Sequence, residues 1–276
     1  MTILTPVISV LTIVAYFILS MFMPILGYLV PCYKIKKVNI FGSKYRILIN
    51  LAVALVLYAL NIKILMLYLI YPFLTEFLFY FTQRFVKKIR TFDRIIIMSL
   101  ISTLVIFGII YLNRNYLEAT IKDALEVSSS TLKIDIANIY QSFLYLKENM
   151  LSAIFSYLFI GNIFLFLALS VSLDNFGKWK ISCYWIIPFI IIILMNRVLK
   201  ISYNSYLESN IISLVRYIYT WYGIKIIYEL CGKVGVKFSI LKHVLSVVLG
   251  ITYPLPVFIV GAMMSFDIVE VETIKL

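Results

Sequence analysis

Four side chains set in or beside apolar runs carry the chemical potential of this 276-residue chain: Glu76, Tyr80, Gln83 and Arg216. An ionisable group inside a long apolar stretch is costly unless it is paired or used, so such groups mark cavities and ligand contacts. Glu76 and Tyr80 are one helical turn apart and Gln83 follows Glu76 by seven residues, which puts all three on one helical face. Pro72, a turn upstream, removes a backbone hydrogen bond and favours a kink. Two readings stand: these residues line a polar cavity, or Glu76 sits near the cytoplasmic end of its helix and pairs with a nearby Lys or Arg. Arg216 lies about two turns into another apolar run, beside Tyr217 and Tyr219. It has three uses: to pair with Glu76, to hold an anionic ligand, or to snorkel to the interface. Lys225 and Glu229 are spaced i, i+4 and suit each other.

Nothing in the chain assembles into a catalytic signature. There is no phosphate-binding loop of the G-x-x-x-x-G-K-[ST] type, no H-E-x-x-H, no G-x-S-x-G, no T-V-G-Y-G filter and no regular arginine ladder. Cys32, Cys183 and Cys231 are far apart and odd in number, which supports neither a disulfide framework nor a zinc site. His243 has no partner histidine and is expected as an interfacial side chain. The chain is therefore expected to be no enzyme and to need no cofactor or metal.

The elements that must hold these residues follow from composition. The chain is 63% hydrophobic and 14% charged, with a mean hydropathy of +1.00. A water-soluble fold of this length cannot hide so much apolar surface, because its exterior must face water. A bilayer removes that demand. The expected fold class is all-α, a polytopic transmembrane helix bundle forming a single integral membrane domain, residues 1–276. In hydrocarbon every backbone amide must be paired within its segment, and runs such as Ile186–Leu194 do not alternate as barrel strands would.

A span needs about 20 mostly apolar residues. About eight stretches qualify or nearly so: Pro6–Val30, Ile47–Leu60, Ile64–Phe81, Ile95–Leu112, Leu151–Leu173, Cys183–Met195, Ile211–Cys231 and Val244–Met264. The first is too long, and lacks a basic flank, for a cleavable signal peptide, so it is expected to stay in the mature protein. Asn50, Asn61, Asn162 and Asn196 are expected in helix–helix hydrogen bonds, and Gly161, Gly250 and Gly261 in close helix packing.

The formal charge is +12. The basic residues sit in short clusters between apolar runs, which indicates topology and anionic headgroups rather than nucleic acid. Linkers after the first, third, fifth and seventh stretches hold fifteen Lys and Arg, among them Lys34, Lys36, Lys37, Lys44, Arg46, Arg84, Lys87 and Lys88; the opposite side holds eight and most of the acids. The excess predicts those linkers in the cytoplasm of a cell with an inner (cytoplasmic) membrane, and the C-terminus outside it. Pro31–Ser43 is expected as a cytoplasmic loop, because each of its lysines would cost about 2.5–3.5 kcal/mol near a helix centre.

The linker 113–150 is too polar to span. Leu117, Ile121, Ala124 and Leu125 repeat at helical spacing, and so do Ile136, Ile139, Tyr140, Phe143 and Leu144 after a break at Ser128–Thr131. This predicts an amphipathic interfacial segment before the fifth span, lying on the extracytoplasmic face or serving there as a lid or docking element.

Several motifs resemble one family. The first stretch ends in Pro24-Ile25-Leu26-Gly27 followed by Val30-Pro31; Tyr222-Gly223 precedes an apolar run and a Gly232-Lys233-Val234-Gly235 turn; Pro254, Pro256, Gly261 and Asp267 follow in and after the last helix. This layout, with the long polar linker, resembles the YybS-like bacterial multi-pass membrane proteins. That family is distantly similar to the substrate-binding S components of energy-coupling-factor vitamin transporters. The segment after Pro31 departs from the family's pattern, being apolar there and lysine-bearing here. No catalytic residues are established for the family, so none are carried over. Together with the helix count and the polar face of the third stretch, the resemblance implies a transport-related subunit that binds a small molecule and needs a separate energising partner; Glu76, Tyr80, Gln83 and Arg216 are its candidate ligand contacts on their placement in the apolar runs alone. The alternative is a non-catalytic membrane scaffold or assembly factor acting through protein partners. Either way the partners are the lipid bilayer and another membrane protein, not nucleic acid.

Overall fold

The structure is a computed structural model that describes residues 4–85, 89–116, 119–120, 136–170, 173–198 and 205–266. Among these residues every regular element is helical. The helices are α1 (Leu4–Phe22), α2 (Leu29–Lys36), α3 (Ser43–Leu60), α4 (Ile62–Tyr68), α5 (Leu74–Phe85), α6 (Thr91–Leu112), α7 (Ile136–Glu148), α8 (Met150–Leu169), α9 (Ile187–Arg197), α10 (Ser205–Lys233), α11 (Ser239–Thr252) and α12 (Pro254–Met264). The stripe Leu117–Leu125, the break at Ser128–Thr131, Lys87, Lys88 and Asp267 lie outside the described residues.

Thr5–Phe22, Ile62–Phe85, Thr91–Leu112 and Met150–Leu169 are long and apolar enough to cross a membrane. The pair α11–α12, bent by 112°, would make a fifth if taken as one span. Leu51, Leu55, Leu104 and Phe164 are exposed on the helices. Water would penalise these side chains and lipid does not, in keeping with a membrane protein. Of the other stretches, α9 is short, and α10, though 29 residues long, carries Glu208, Arg216, Lys225, Glu229 and Lys233.

Prolines move the expected boundaries. The first helix ends at Phe22, not Val30, because Pro24 starts a 3-10 turn, Pro24–Tyr28. The last stretch divides at Tyr253, with Pro254 opening α12. Residues 31–43 carry regular structure: they form most of α2 and a 3-10 turn, Val38–Phe41, and the Lys34 side chain is buried.

The described chain divides into two compact units. The first comprises Met1–Ile89, Ile97–Ile106 and Tyr157–Ser172. Its core gathers Ile13, Phe17, Val30, Val38, Ile49, Val53, Leu57 and Tyr68. Tyr28 lies flat on Gly161, where a Cβ would overlap its ring, and donates its hydroxyl proton to the Leu158 carbonyl at 3.0 Å. Asn162 donates to Ser99 at 2.9 Å, an interhelical bond of the expected kind. Asn61 instead caps α4, accepting from the Lys63 amide at 2.8 Å.

The second unit comprises Arg90–Ile96, Phe107–Ser156 and Leu173–Leu276. Its spine is α10. A Cβ on Gly261 would meet the Tyr219 carbonyl and the Gly223 amide, and one on Gly223 would meet the Val257 carbonyl. The α10 and α12 backbones therefore touch through glycine, as membrane helices do when dispersion must replace the hydrophobic drive. Gly250 is likewise closed off by Ile224. We expect Gly261→Ala to lower stability by about 1–3 kcal/mol through overpacking. Gly108→Ala, whose Cβ would meet open space, serves as the neutral control. Thermal unfolding of both variants in detergent checks this; equal midpoints would refute the close approach.

Candidate functional site

The first unit holds a lysine withdrawn from water. Lys34 is 1% exposed and Glu76 4%, and the ammonium and carboxylate form an ion pair. Lys34 Nζ also donates to the Tyr68 hydroxyl at 3.0 Å and lies 5.5 Å from the Tyr68 ring centroid and 5.4 Å from that of Phe73. Thus one carboxylate, one hydroxyl and two ring faces surround it.

Pro72 explains how one helix supplies all of these. Residues Leu69–Phe73, with Pro72 inside, form a π turn between α4 and α5. A π turn takes up about one extra residue per insertion. Tyr68 and Glu76, eight apart, would project about 80° apart on a regular helix. With one residue absorbed they behave as seven apart, about two full turns, and point to the same side. The sequence expectation of a kink at Pro72 becomes, in the structure, a change of register.

The face beyond this pair opens into a cleft of about 360 Å³ lined by Arg46, Asn50, Phe73, Glu76, Phe77, Tyr80, Phe81, Arg84 and Phe85. A second space of about 280 Å³ is lined by Arg46, Tyr80, Gln83 and Arg84. Three of the sequence-predicted residues therefore meet: Glu76 and Tyr80 on the first wall, Tyr80 and Gln83 on the second. The Arg46 guanidinium lies 5.0 Å from the Tyr80 ring centroid. Asn50 Oδ1 is buried without a hydrogen-bond partner among the described residues, and the buried Tyr80 hydroxyl has the Arg46 guanidinium as its polar neighbour.

Arg216 belongs to the second unit, where its side chain is exposed, and in the first unit Glu76 is paired with Lys34. Lys225 and Glu229 do pair, at 2.9 Å. Asn196 donates to Glu208. His243 is half-buried, its ring 4.4 Å from that of Tyr228 and 5.2 Å from that of Phe176. Asp93, unremarked in the sequence, accepts from the Ser182 amide and the Trp185 indole at 2.8 Å each, fastening the segment before α9 to the start of α6. Among the described residues no group of three His, Cys, Asp or Glu side chains is placed to hold a metal ion.

Sequence reading missed Lys34, Arg46 and Asn50 as site residues. The two basic ones were read as loop charges, and nothing in their spacing distinguishes them from their neighbours Lys36, Lys37 and Lys44. Comparison with family models, curated proteins and solved structures finds no match to this chain.

Breaking the pair should cost more than removing it. Lys34→Met strands a buried carboxylate, with an expected loss of about 3–5 kcal/mol. Glu76→Leu should cost a similar amount, and the double variant Lys34→Met/Glu76→Leu should recover most of it. Denaturant unfolding in mixed micelles, arranged as a double-mutant cycle, checks this; additive losses would refute the pairing.

Proposed function

We propose that this chain is a small-molecule-binding subunit of a transport system in the cytoplasmic membrane, its ligand held in the cleft around Glu76, Tyr80 and Asn50. The observation that carries the reading is the cleft itself, about 360 Å³, in whose wall the polar side chains of Arg46, Asn50 and Tyr80 stand among phenylalanines. Ligand pockets characteristically combine apolar walls with a few placed polar groups, and here Phe73, Phe77, Phe81 and Phe85 supply the apolar part. The resemblance to YybS-like proteins agrees with this role. With no nucleotide-binding loop in the sequence, energy for transport would come from a separate ATPase partner. A panel of vitamins and metabolites tests the reading by thermal shift on the purified full chain. At least one compound should raise the unfolding midpoint, and Asn50→Leu combined with Tyr80→Phe should abolish that rise. A panel without a hit, or a hit indifferent to those substitutions, would overturn it.

The topology belongs to the same proposal. Adding α3, α9 and α10 to the apolar helices gives eight membrane segments, with the basic linkers in the cytoplasm by the positive-inside rule. On this arrangement the cleft opens at the cytoplasmic end, where Arg46 begins α3 and Arg84 ends α5. An extracytoplasmic C-terminus would require α11–α12 to be a full crossing. Helices of 14 and 11 residues bent by 112° reach about 21 Å end to end, short of the ~30 Å hydrocarbon core. We therefore place α11–α12 as a re-entrant pair that returns Met264 to the side of the Gly232–Gly235 turn. In a cysteine-free background, Phe266→Cys in intact cells should resist a membrane-impermeant maleimide and react after permeabilisation. Labelling of intact cells would restore the outward C-terminus.

A further inference from the structure

We infer that the cleft between Arg46 and Arg84 takes a phosphate-type oxyanion, carried on a molecule whose apolar part lies along Phe77, Phe81 and Phe85. The inference rests on the cleft being the ligand site proposed above and narrows the class of ligand.

Charge comes first. Arg46 and Arg84 line both parts of the cleft. Guanidinium forks match tetrahedral oxyanions better than any other side chain. Neither Arg46 nor Arg84 is ion-paired among the described residues. Arg46 makes a 3.4 Å hydrogen bond to Asn39 Oδ1 and otherwise lies over Tyr80, while Arg84 lies 5.7 Å from the Phe85 ring centroid. Glu76 is the one carboxylate on the wall and would repel an anion, but Lys34 neutralises it. The wall is left with the two arginine charges.

The apolar wall supplies the second half. Phe77, Phe81 and Phe85 follow one another at i, i+4 spacing, with ring centroids 6.2 and 4.9 Å apart, and all three are exposed. A ladder of exposed rings running up to two arginines at a helix end matches an amphiphile with its head at the interface and its tail in hydrocarbon. A free phosphate would use the arginines and leave the ladder uncovered. A lipid phosphate and a free phosphate share the same head chemistry, and the ladder favours the lipid.

The test uses the purified full chain in non-ionic detergent and follows the unfolding midpoint during titration with dioctanoyl phosphatidic acid, with dioctanoylglycerol of the same chains, and with inorganic phosphate. Phosphatidic acid should stabilise and dioctanoylglycerol should not. Arg46→Gln/Arg84→Gln should weaken the effect about tenfold or more, as loss of charge-assisted hydrogen bonds does. Lys178→Gln/Lys237→Gln removes the same charge from exposed positions outside the cleft and should leave binding unchanged. Arg46→Lys/Arg84→Lys keeps the charge without the fork, should fall between, and reports on folding. Stabilisation by inorganic phosphate alone, lost in the glutamine pair, would assign the site to a free anion and support the head chemistry. Equal effects of phosphatidic acid and dioctanoylglycerol, equal losses in the two charge-removing pairs, or no response to either phosphate would overturn the inference. An uncharged hit from the metabolite panel that needs Asn50 and Tyr80 but not the arginines would sink this inference alone and leave the ligand-binding reading standing.

Discussion

A lysine ammonium and a glutamate carboxylate, both taken out of water, bind each other because neither has another way to be tolerated. An unpaired charge in an apolar interior costs several kcal/mol even after relaxation. Lys34 and Glu76 meet that constraint together, with Tyr68 and the rings of Tyr68 and Phe73 completing the shell around the ammonium. The local architecture of the first unit serves this contact. Proline at 72 forces a π turn, which brings Tyr68 and Glu76 to one side of the helix. The 3-10 turn at Pro24–Tyr28 redirects the chain so that α2 can carry Lys34 inward. Such a pair adds little net stability over well-packed apolar groups, so its value lies in fixing how α2 and α5 are matched.

The same pair sets the character of the cleft beside it. With Glu76 neutralised, the wall holds Arg46 and Arg84 with Asn50 and Tyr80 against a row of phenylalanines. A carboxylate that would otherwise repel an anion becomes electrically silent. The contact that joins α2 to α5 thus also sets the charge of the cleft wall.

In the second unit backbone proximity has the organising role that charge has in the first. Gly223 and Gly261 let α10 and α12 approach until main-chain atoms touch, and Gly250 lets α11 seat against Ile224. Helices in lipid gain little by hiding apolar side chains from one another, so surface match and small residues decide which faces meet. Asp93 and Tyr219 tie down the segment before α9 through Ser182, Trp185 and the Ser182 and Cys183 carbonyls.

Composition and apolar run length by themselves determined that this chain is helical and suited to a bilayer, because those properties follow from solvent preference and backbone pairing, which need no partner. Helical spacing was enough to put Glu76, Tyr80 and Gln83 on one face and to couple Lys225 with Glu229, since both are local relations. Gly161, Gly250 and Gly261 were legible as packing points because a residue without a side chain lets another helix come close. Tertiary structure alone decided that Lys34 is buried while Lys36 and Lys37, in the same short stretch, are not. It also decided that Glu76 takes Lys34, and that Arg46 and Asn50 share a cleft with Tyr80. Those outcomes depend on which helices lie side by side and on a one-residue register shift at Pro72, and a linear pattern with a fixed 3.6-residue period carries neither.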